Sequence, residues 1–145
     1  MTAEQGQQIA SLLNARNQLT RNYTAASVMA SHNDYIFETE NEIVIACVQV
    51  RKVQWYQCEI LHLSVRADRE GIGLGKRMLA MAEARAKELG ARIAQCTIRT
   101  GNIGSTMVFQ KSGFLETCRF KNTATENEVS VFQKALLGIT DMEER

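Results

Sequence analysis

Residues 70–78 decide the fold, and they read Glu70-Gly71-Ile72-Gly73-Leu74-Gly75-Lys76-Arg77-Met78. Three alternate glycines remove every Cβ that would keep a ligand away from the backbone, and they permit positive φ angles. Helical spacing follows at once, because Leu74, Met78 and Ala82 lie four residues apart. The start of such a helix presents unpaired N–H groups and the positive end of its dipole, both of which favour an anion. The segment therefore predicts a phosphate-binding turn that opens a helix.

Two better-known phosphate motifs do not match this turn. A P-loop requires Ser or Thr after its Gly-Lys pair, but Arg77 follows Lys76, and Glu70 stands where the first glycine belongs. A dinucleotide-binding G-x-G-x-x-G would need a further glycine at position 76 or 78, and neither position has one. A turn that only caps a helix would need one glycine rather than three. We therefore favour a cradle for a pyrophosphate over a purely structural turn.

Composition places the chain among ordinary globular proteins. Its 145 residues fit one domain, and the hydrophobic and charged fractions of 45% and 23% are typical of that class. A net charge of +1 gives no reason to expect nucleic acid or an anionic membrane as a partner. The sequence contains neither a run of about 20 apolar residues nor an N-terminal signal peptide. We expect a cytoplasmic protein.

The cysteines do not indicate a metal site. Cys47, Cys58, Cys96 and Cys118 are far apart in the sequence, and no two of them form a C-x-x-C pair. All four lie in segments that are typical of strands. We predict reduced cysteines packed in the core, and no bound metal.

The segments on either side of the glycine turn predict a mixed α/β fold. Before the turn we expect helices at 3–15 and 24–31, a polar loop between them, a strand at 35–39, a turn at Glu40-Asn41, and strands at 42–53 and 56–65. After it we expect a helix at 74–89, a strand at 93–98, a helix at 103–112, and a hairpin of strands at 114–120 and 128–136. The strands that flank the helix at 74–89 should run parallel, and the others antiparallel. The prediction is a single domain over residues 1–137, with a mostly antiparallel twisted sheet flanked by helices, and a polar tail over 138–145.

Two motifs together resemble the GNAT superfamily, the general-control-type N-acetyltransferases. Leu63-Ser64-Val65, a turn and then residues 73–79 are similar to its acetyl-CoA signature, Q/R-x-x-G-x-G/A opening a helix. Residues 102–114, NIGSTMVFQKSGF, resemble the second signature, roughly N-x-x-[AS]-x-x-x-Y-x-K-x-G-F. The two motifs span residues 59–114 and are separated by one helix and one strand, as in the family. The resemblance implies a GNAT-like fold, here without the usual first strand because a helix comes first.

The resemblance also implies acetyl-CoA as the cofactor and a set of residues that bind it. The main chain of Leu63 and Val65 would pair with the pantetheine arm, the N–H groups of residues 71–76 would hold the pyrophosphate, and Asn102 would contact the pantetheine. The full set is Leu63, Ser64, Val65, Glu70, Gly71, Ile72, Gly73, Leu74, Gly75, Lys76, Asn102, Phe109 and Lys111. Asn102 also suits an N-cap, and Lys111 a solvated helix position.

Two residues depart from the family pattern. Glu70 stands at the Q/R position, where its carboxylate would repel a pyrophosphate unless it turns outward, with Arg69 as a candidate counterion. Phe109 replaces a tyrosine that often serves as general acid, and a phenyl ring has no proton to give. These departures leave cofactor binding better supported than catalysis.

Glu59 is the candidate general base. It lies six residues before Val65, where GNAT members that acetylate histones carry a base glutamate, and strand alternation would place it on the face of Leu61, Leu63 and Val65. An exposed glutamate at the start of a strand is nearly as good an interpretation, because a β-bulge would break that alternation. A proton relay through His62 is a further alternative, although a hydrogen-bonded core histidine fits that position better.

The resulting hypothesis is an acetyl-CoA-dependent N-acetyltransferase that acts on a primary amine of a small molecule or peptide. The alternatives are a non-catalytic acyl-CoA-binding regulator and an interaction domain without cofactor. Residues 16–34 and 121–128 would build the acceptor site, with five candidates to line it: Arg16, Arg21, Tyr23, His32 and Asp34. Trp55 and Tyr56 suit edge-strand packing, a substrate wall or a homodimer contact, and we favour the first.

Overall fold

The computed structural model of the protein describes residues 1–16 and 22–136. Its helices are α1 (Ala3–Arg16), α2 (Ala25–Ala30), α3 (Leu74–Glu88) and α4 (Ile103–Lys111). Its strands are β1 (Tyr35–Glu40), β2 (Ile43–Gln54), β3 (Gln57–Val65), β4 (Ile93–Arg99), β5 (Leu115–Lys121) and β6 (Glu128–Ala135). Every predicted helix and strand is present within two residues of its expected bounds. The sequence did not predict two short 3₁₀ turns, His32–Asp34 and Ala67–Arg69.

The strands form one sheet in the order β1-β2-β3-β4-β6-β5. β3 and β4 are parallel, with Gln57, Cys58 and Glu59 opposite Ile93, Ala94 and Gln95. The pairs β1–β2, β4–β6 and β5–β6 are antiparallel. The predicted mixed and mostly antiparallel sheet is therefore confirmed, including its parallel pair on either side of α3.

Capping boxes start the two N-terminal helices. Before α1, the N–H of Gln5 donates to Thr2 Oγ1 at 3.1 Å, and the N–H of Thr2 donates to Gln5 Oε1 at 2.9 Å. Thr24 and Ser27 exchange the same two bonds at the start of α2, both at 3.0 Å. Each box satisfies N–H groups that a helix start leaves without a partner.

The turn between β1 and β2 lies one residue later than predicted. Asn41 and Glu42 both have positive φ, 51° and 67°, and Glu40 pairs directly with Ile43. Two central residues with positive φ make the turn whose twist matches that of an antiparallel hairpin. Glu42 rather than Glu40 thus occupies the turn, because the hairpin geometry requires two left-handed residues between the paired ones.

The chain divides into two compact units. Residues 1–50 and 61–82 form the first, in which α1 and α2 pack on the N-terminal strands through Ile9, Ala10, Leu12, Leu13, Val28, Tyr35, Val44 and Cys47. The second unit contains residues 51–60 and the chain from Glu83 onward. Its buried side chains include Cys58, Ile60, Ala94, Cys96, Ile98, Phe109, Phe114 and Phe132.

A partly buried ion pair joins α3 to β6 inside the second unit. Lys134 Nζ lies 2.6 Å from a carboxylate oxygen of Glu83, whose side chain is mostly buried. The same ammonium donates to the carbonyl of Ser112, at the end of α4, at 2.7 Å. One cation therefore satisfies acceptors from two helices.

The prediction of four core cysteines is wrong for Cys118. Cys47, Cys58 and Cys96 are buried free thiols, and burial raises the pKa of Cys47 and of Cys96 to about 12. Cys118 is exposed because β5 is the last strand of the sheet, and all its residues are exposed. The sequence alone did not show which strand would lie at the edge.

Within the described residues, none of the helices combines the length and apolar character that a membrane span requires. The predicted polar tail over 138–145 lies outside the described residues.

Phe114 and Leu115 are adjacent in sequence but differ sharply in exposure, at 1% and 73%. Replacing a buried phenylalanine with alanine leaves a cavity, so we expect Phe114→Ala to lower the free energy of unfolding by about 3–5 kcal/mol. Leu115→Ala is the matched control and should change it by less than about 0.5 kcal/mol. Urea denaturation followed by circular dichroism measures both. Equal losses would contradict the packing described for the second unit.

Candidate functional site

The glycine turn has the backbone conformation that its sequence predicts. Gly71 and Gly73 have φ angles of 80° and 85°, in the left-handed region that favours glycine. A Cβ built on either residue would meet no heavy atom of the described residues within 4 Å. Gly75 differs, because it lies in the first turn of α3. Open space surrounds the turn, so backbone conformation rather than packing requires its two left-handed glycines.

The helix that follows leaves several backbone donors without an acceptor inside it. The first intrahelical bond runs from the N–H of Arg77 to the carbonyl of Gly73, at 3.0 Å. The N–H groups of Leu74, Gly75 and Lys76 precede that bond and have no partner in the helix. An open turn followed by unpaired N–H groups fits a phosphate or pyrophosphate.

Side-chain charges around the turn are arranged differently from the prediction. Glu70 pairs with Arg16 at the end of α1, whereas Arg69 pairs with Glu40 at 2.5 Å. The expected compensation of Glu70 by Arg69 is therefore wrong. Arg69 and Glu70 are neighbours in sequence, but each reaches a different element.

The two basic residues of the first helical turn, Lys76 and Arg77, differ in their ion pairing. Arg77 pairs with Glu38 of β1, so its charge is already satisfied within the protein. Lys76 is exposed, and no ion pair among the described residues involves it. Of these two cations, Lys76 alone keeps its charge available to an anion at the turn.

Strand β3 is irregular at His62. This residue has a φ of 54°, which is rare for a residue with a side chain and which interrupts the extended backbone of the strand. Its carbonyl accepts a weak hydrogen bond from Cys47 Sγ at 3.7 Å. Alternation alone therefore no longer places Glu59 on the face of Leu63 and Val65, all of which are half-buried.

A tyrosine–histidine pair occupies the same irregular point of β3. The hydroxyl of Tyr23 lies 3.4 Å from His62 Nδ1, and the rings meet edge to face with centroids 4.9 Å apart. Asn14 of α1 holds the backbone of Tyr23 by two hydrogen bonds. Its side-chain amide donates to the Tyr23 carbonyl at 2.8 Å and accepts from the Tyr23 N–H at 2.6 Å. A phenol and an imidazole thus lie in direct contact.

Three of the other residues predicted to line the acceptor site have hydrogen-bond or ion-pair partners within the protein. His32 Nδ1 bonds to the Met29 carbonyl at 2.9 Å, and Asp34 accepts from the Gln49 amide at 3.4 Å. Arg16 pairs with Glu70 as above. Arg21 lies outside the described residues. Among the five candidates, the structure brings Tyr23 to a second titratable group in β3.

Glu59 is half-buried in the second unit and holds two amide donors. Gln95 Nε2 donates to Glu59 Oε1 at 2.7 Å, and Gln57 Nε2 donates to the same oxygen at 3.3 Å. Burial raises the pKa of the Glu59 carboxyl, and it outweighs the lowering by these two amides and by the charge of Arg51. A carboxyl with a raised pKa is a better proton acceptor than an ordinary glutamate.

The second motif is built around α4. Asn102 is the N-cap, since its Oδ1 accepts from the N–H of Ser105 at 3.3 Å. Phe109 is only 4% exposed, and its ring packs edge to face on Phe114 with centroids 5.0 Å apart. Lys111 is exposed at the end of the helix. Phe109 therefore has little surface to offer a ligand.

Trp55 does not show the edge-strand packing that we favoured. Its side chain is 68% exposed at the turn between β2 and β3, and neither of these strands lies at an edge of the sheet. Tyr56 meets its ring edge to face with centroids 5.3 Å apart, and the Arg92 guanidinium lies 5.5 Å from the ring centroid.

Sequence reasoning missed Gln95 and Asn14 as partners of candidate residues. Gln95 is a polar residue inside an apolar strand, which is a pattern that the sequence offers, but its position opposite Glu59 depends on the parallel register. Asn14 acts through the backbone of Tyr23, and no spacing rule predicts such a bond. Among the described residues, no group of His, Cys, Asp and Glu side chains is arranged to hold a metal ion.

One family model matches most of the chain. The family model described as the acetyltransferase (GNAT) family matches residues 4–114. A search of curated proteins finds no significant match. Among solved structures, Ard1 from Thermoplasma volcanium superposes with a TM-score of 0.80 at 19% identity, covering 95% of each chain.

Two further solved structures are similar to the same extent. An N-acetyltransferase from Staphylococcus aureus Mu50 has a TM-score of 0.80 at 17% identity, covering 94% of this chain and 96% of its own. The protein yncA from Salmonella typhimurium, solved with its cofactor acetyl-CoA, has a TM-score of 0.79 at 16% identity, covering 94% and 91%. At these identities the likeness concerns the fold.

Alanine substitution should distinguish the left-handed Gly73 from the helical Gly75 by its effect on the free energy of unfolding. Gly73→Ala places a side chain at left-handed φ and should lower the free energy of unfolding by about 1–2 kcal/mol. Gly75→Ala lies in a helix and should raise it by about 0.5–1 kcal/mol. Urea denaturation of the two variants measures the difference. Stabilisation by both substitutions would show that the turn does not have the left-handed conformation.

Proposed function

Because the chain belongs to the acetyltransferase (GNAT) family, we propose that it transfers an acetyl group from acetyl-CoA to a primary amine of a small molecule or peptide. The observation that carries the proposal is the left-handed glycine turn, open to solvent and followed by unpaired N–H groups of α3. The acetyl-CoA in the similar yncA structure is consistent with it.

The residues that would hold the cofactor follow from the motifs and the turn. The N–H groups of residues 71–76 would bind the pyrophosphate, with Lys76 as the available cation. The main chain of Leu63 and Val65 and the side chain of Asn102 would contact the pantetheine. Bound acetyl-CoA supplies an activated acetyl thioester. The pairing of Glu70 with Arg16 reduces the repulsion that a carboxylate would exert on a phosphate.

Glu59 would remove the proton from the acceptor amine. Alkyl amines are protonated at neutral pH, with a pKa of about 10.4 for lysine and about 8 for an α-amino group, so a base is required before attack. Burial raises the pKa of Glu59 toward the working range of such a base. A backbone N–H of β3, at Val65 or a neighbour, would stabilise the oxyanion.

A second candidate function is a non-catalytic regulator that binds acyl-CoA. The observation that favours it is Phe109, which is buried and has no proton to donate where related enzymes often carry a tyrosine. If the chain is an enzyme, another group or water must protonate the leaving thiolate. Binding and turnover therefore require separate tests.

Cofactor binding is tested by a charge at the turn with a control of identical backbone geometry. Gly73 and Gly90 share a φ of 85°, and a Cβ on either would meet no heavy atom of residues 1–16 and 22–136 within 4 Å. Gly90 lies beyond the opposite end of α3. Gly73→Asp should abolish the rise in melting temperature that acetyl-CoA produces, because a carboxylate would occupy the pyrophosphate site. Gly90→Asp should keep the rise, which corresponds to about 2.7 kcal/mol at a ligand concentration of 100 Kd.

Retained binding by Gly73→Asp would contradict the pyrophosphate assignment. If the unsubstituted protein shows no shift with acetyl-CoA, both the enzyme and the regulator are excluded.

Turnover is tested by the release of free thiol from acetyl-CoA with a panel of primary amines. Glu59→Gln removes the base and should lower kcat/KM by about 100-fold or more. Glu88→Gln, an exposed carboxylate at the end of α3, is the control and should leave it unchanged. Equal activity of the Glu59 variant and the unsubstituted protein would exclude Glu59 as the base. Cofactor binding without turnover of any amine would favour the regulator.

A further inference from the structure

Three polar side chains stand in one row across the second unit. Glu59, Gln95 and Gln133 are successive cross-strand neighbours on β3, β4 and β6, and all three are half-buried. Gln133 Nε2 donates to Gln95 Oε1 at 2.6 Å, and Gln95 Nε2 donates to Glu59 Oε1 at 2.7 Å. The side chains on either side of Gln95 in β4, Ala94 and Cys96, are buried.

The direction of these two hydrogen bonds determines which end of the Gln95 amide faces Glu59. A primary amide has one oxygen that accepts and one nitrogen that donates. Because Gln133 donates to the oxygen of Gln95, the end of Gln95 that faces Glu59 must be its NH₂ group. This polarity suits an ionised carboxylate, since an NH₂ group donates to the charged oxygen, whereas a flipped amide would place oxygen against oxygen.

We propose that Gln95, oriented by Gln133, is a positioning residue that holds Glu59 Oε1, so that the amine proton is taken up at Oε2. This inference rests on the proposed role of Glu59 as the general base. Gln95 touches neither the amine nor the cofactor in this scheme. It restricts the rotation of the carboxylate and stabilises its ionised form.

Other groups that act on Glu59 come from the neighbouring strands. Arg51 of β2 lowers the pKa of Glu59 by its charge, and Gln57, two residues earlier in β3, donates at 3.3 Å. Cys96 of β4 interacts electrostatically with Glu59, but burial keeps the pKa of its thiol at about 12, so it is neutral. The partner on β6 is the uncharged amide of Gln133. Among these groups Arg51 is the ionised one, so its effect on the pKa of Glu59 must be distinguished from the effect of the amides.

The first test measures the pKa of the Glu59 carboxyl by ¹³C NMR in the full protein. Gln95→Leu removes the shorter donor, so the ionised form loses stabilisation and the pKa should rise by about one unit. Gln133→Leu leaves Gln95 free to flip and should raise the pKa by a smaller amount. Gln57→Leu removes the longer bond and is the matched control, with a rise smaller than that of Gln95→Leu. Gln95→Met serves in place of the leucine variant if the latter unfolds.

The second test follows the pH dependence of kcat/KM in the same variants. Activity requires ionised Glu59, so a raised pKa moves the acidic limb of the profile to higher pH by the same amount, while KM for the amine stays unchanged. This combination distinguishes positioning from a general loss of structure.

The outcomes separate the two claims. If the pKa of Glu59 does not rise in Gln95→Leu or Gln95→Met, or rises no more than in Gln57→Leu, the positioning role is excluded whatever the activity. If the pKa rises as expected but the acidic limb stays in place, Gln95 does control the Glu59 carboxyl, and Glu59 is not the base.

Discussion

The parallel pairing of β3 with β4 over three residue pairs is the constraint on which the rest of the structure depends. Parallel neighbours cannot be joined by a tight hairpin, so the chain must cross over between them, and α3 is that crossover. The crossover begins at the turn of Gly71 and Gly73, which both have positive φ. The same register places Glu59 opposite Gln95. One pairing thus accounts for both the open turn and the surroundings of the candidate base.

Local sequence patterns predicted most of this architecture because helix and strand periodicity, capping residues and glycine turns are properties of short segments. The glycine turn is an example in which the responsible residues lie within a few positions of each other. Partners that are distant in sequence were not predictable. Arg16 meets Glu70 across 54 positions, and Gln95 meets Glu59 only through the parallel register.

Other departures arose from backbone geometry and from the position of each strand in the sheet. The left-handed φ of His62 interrupts the strand alternation from which the position of Glu59 was predicted, and the sequence does not show where such an interruption lies. Cys118 and Trp55 were both predicted to pack against other residues. Cys118 is exposed because β5 is an edge strand, and Trp55 is exposed because it lies at a hairpin turn. The sequence predicted the glycine turn more reliably than the acceptor side. Glycines reveal backbone conformation, whereas acceptor recognition depends on side chains from separate elements.

Asn14 binds both polar backbone groups of Tyr23, so α1 helps to hold Tyr23 beside His62. A substitution at Asn14 would therefore act on the contact between the phenol and the imidazole through the backbone of Tyr23. In this way a residue of a helix can influence a side-chain contact in which it takes no part itself.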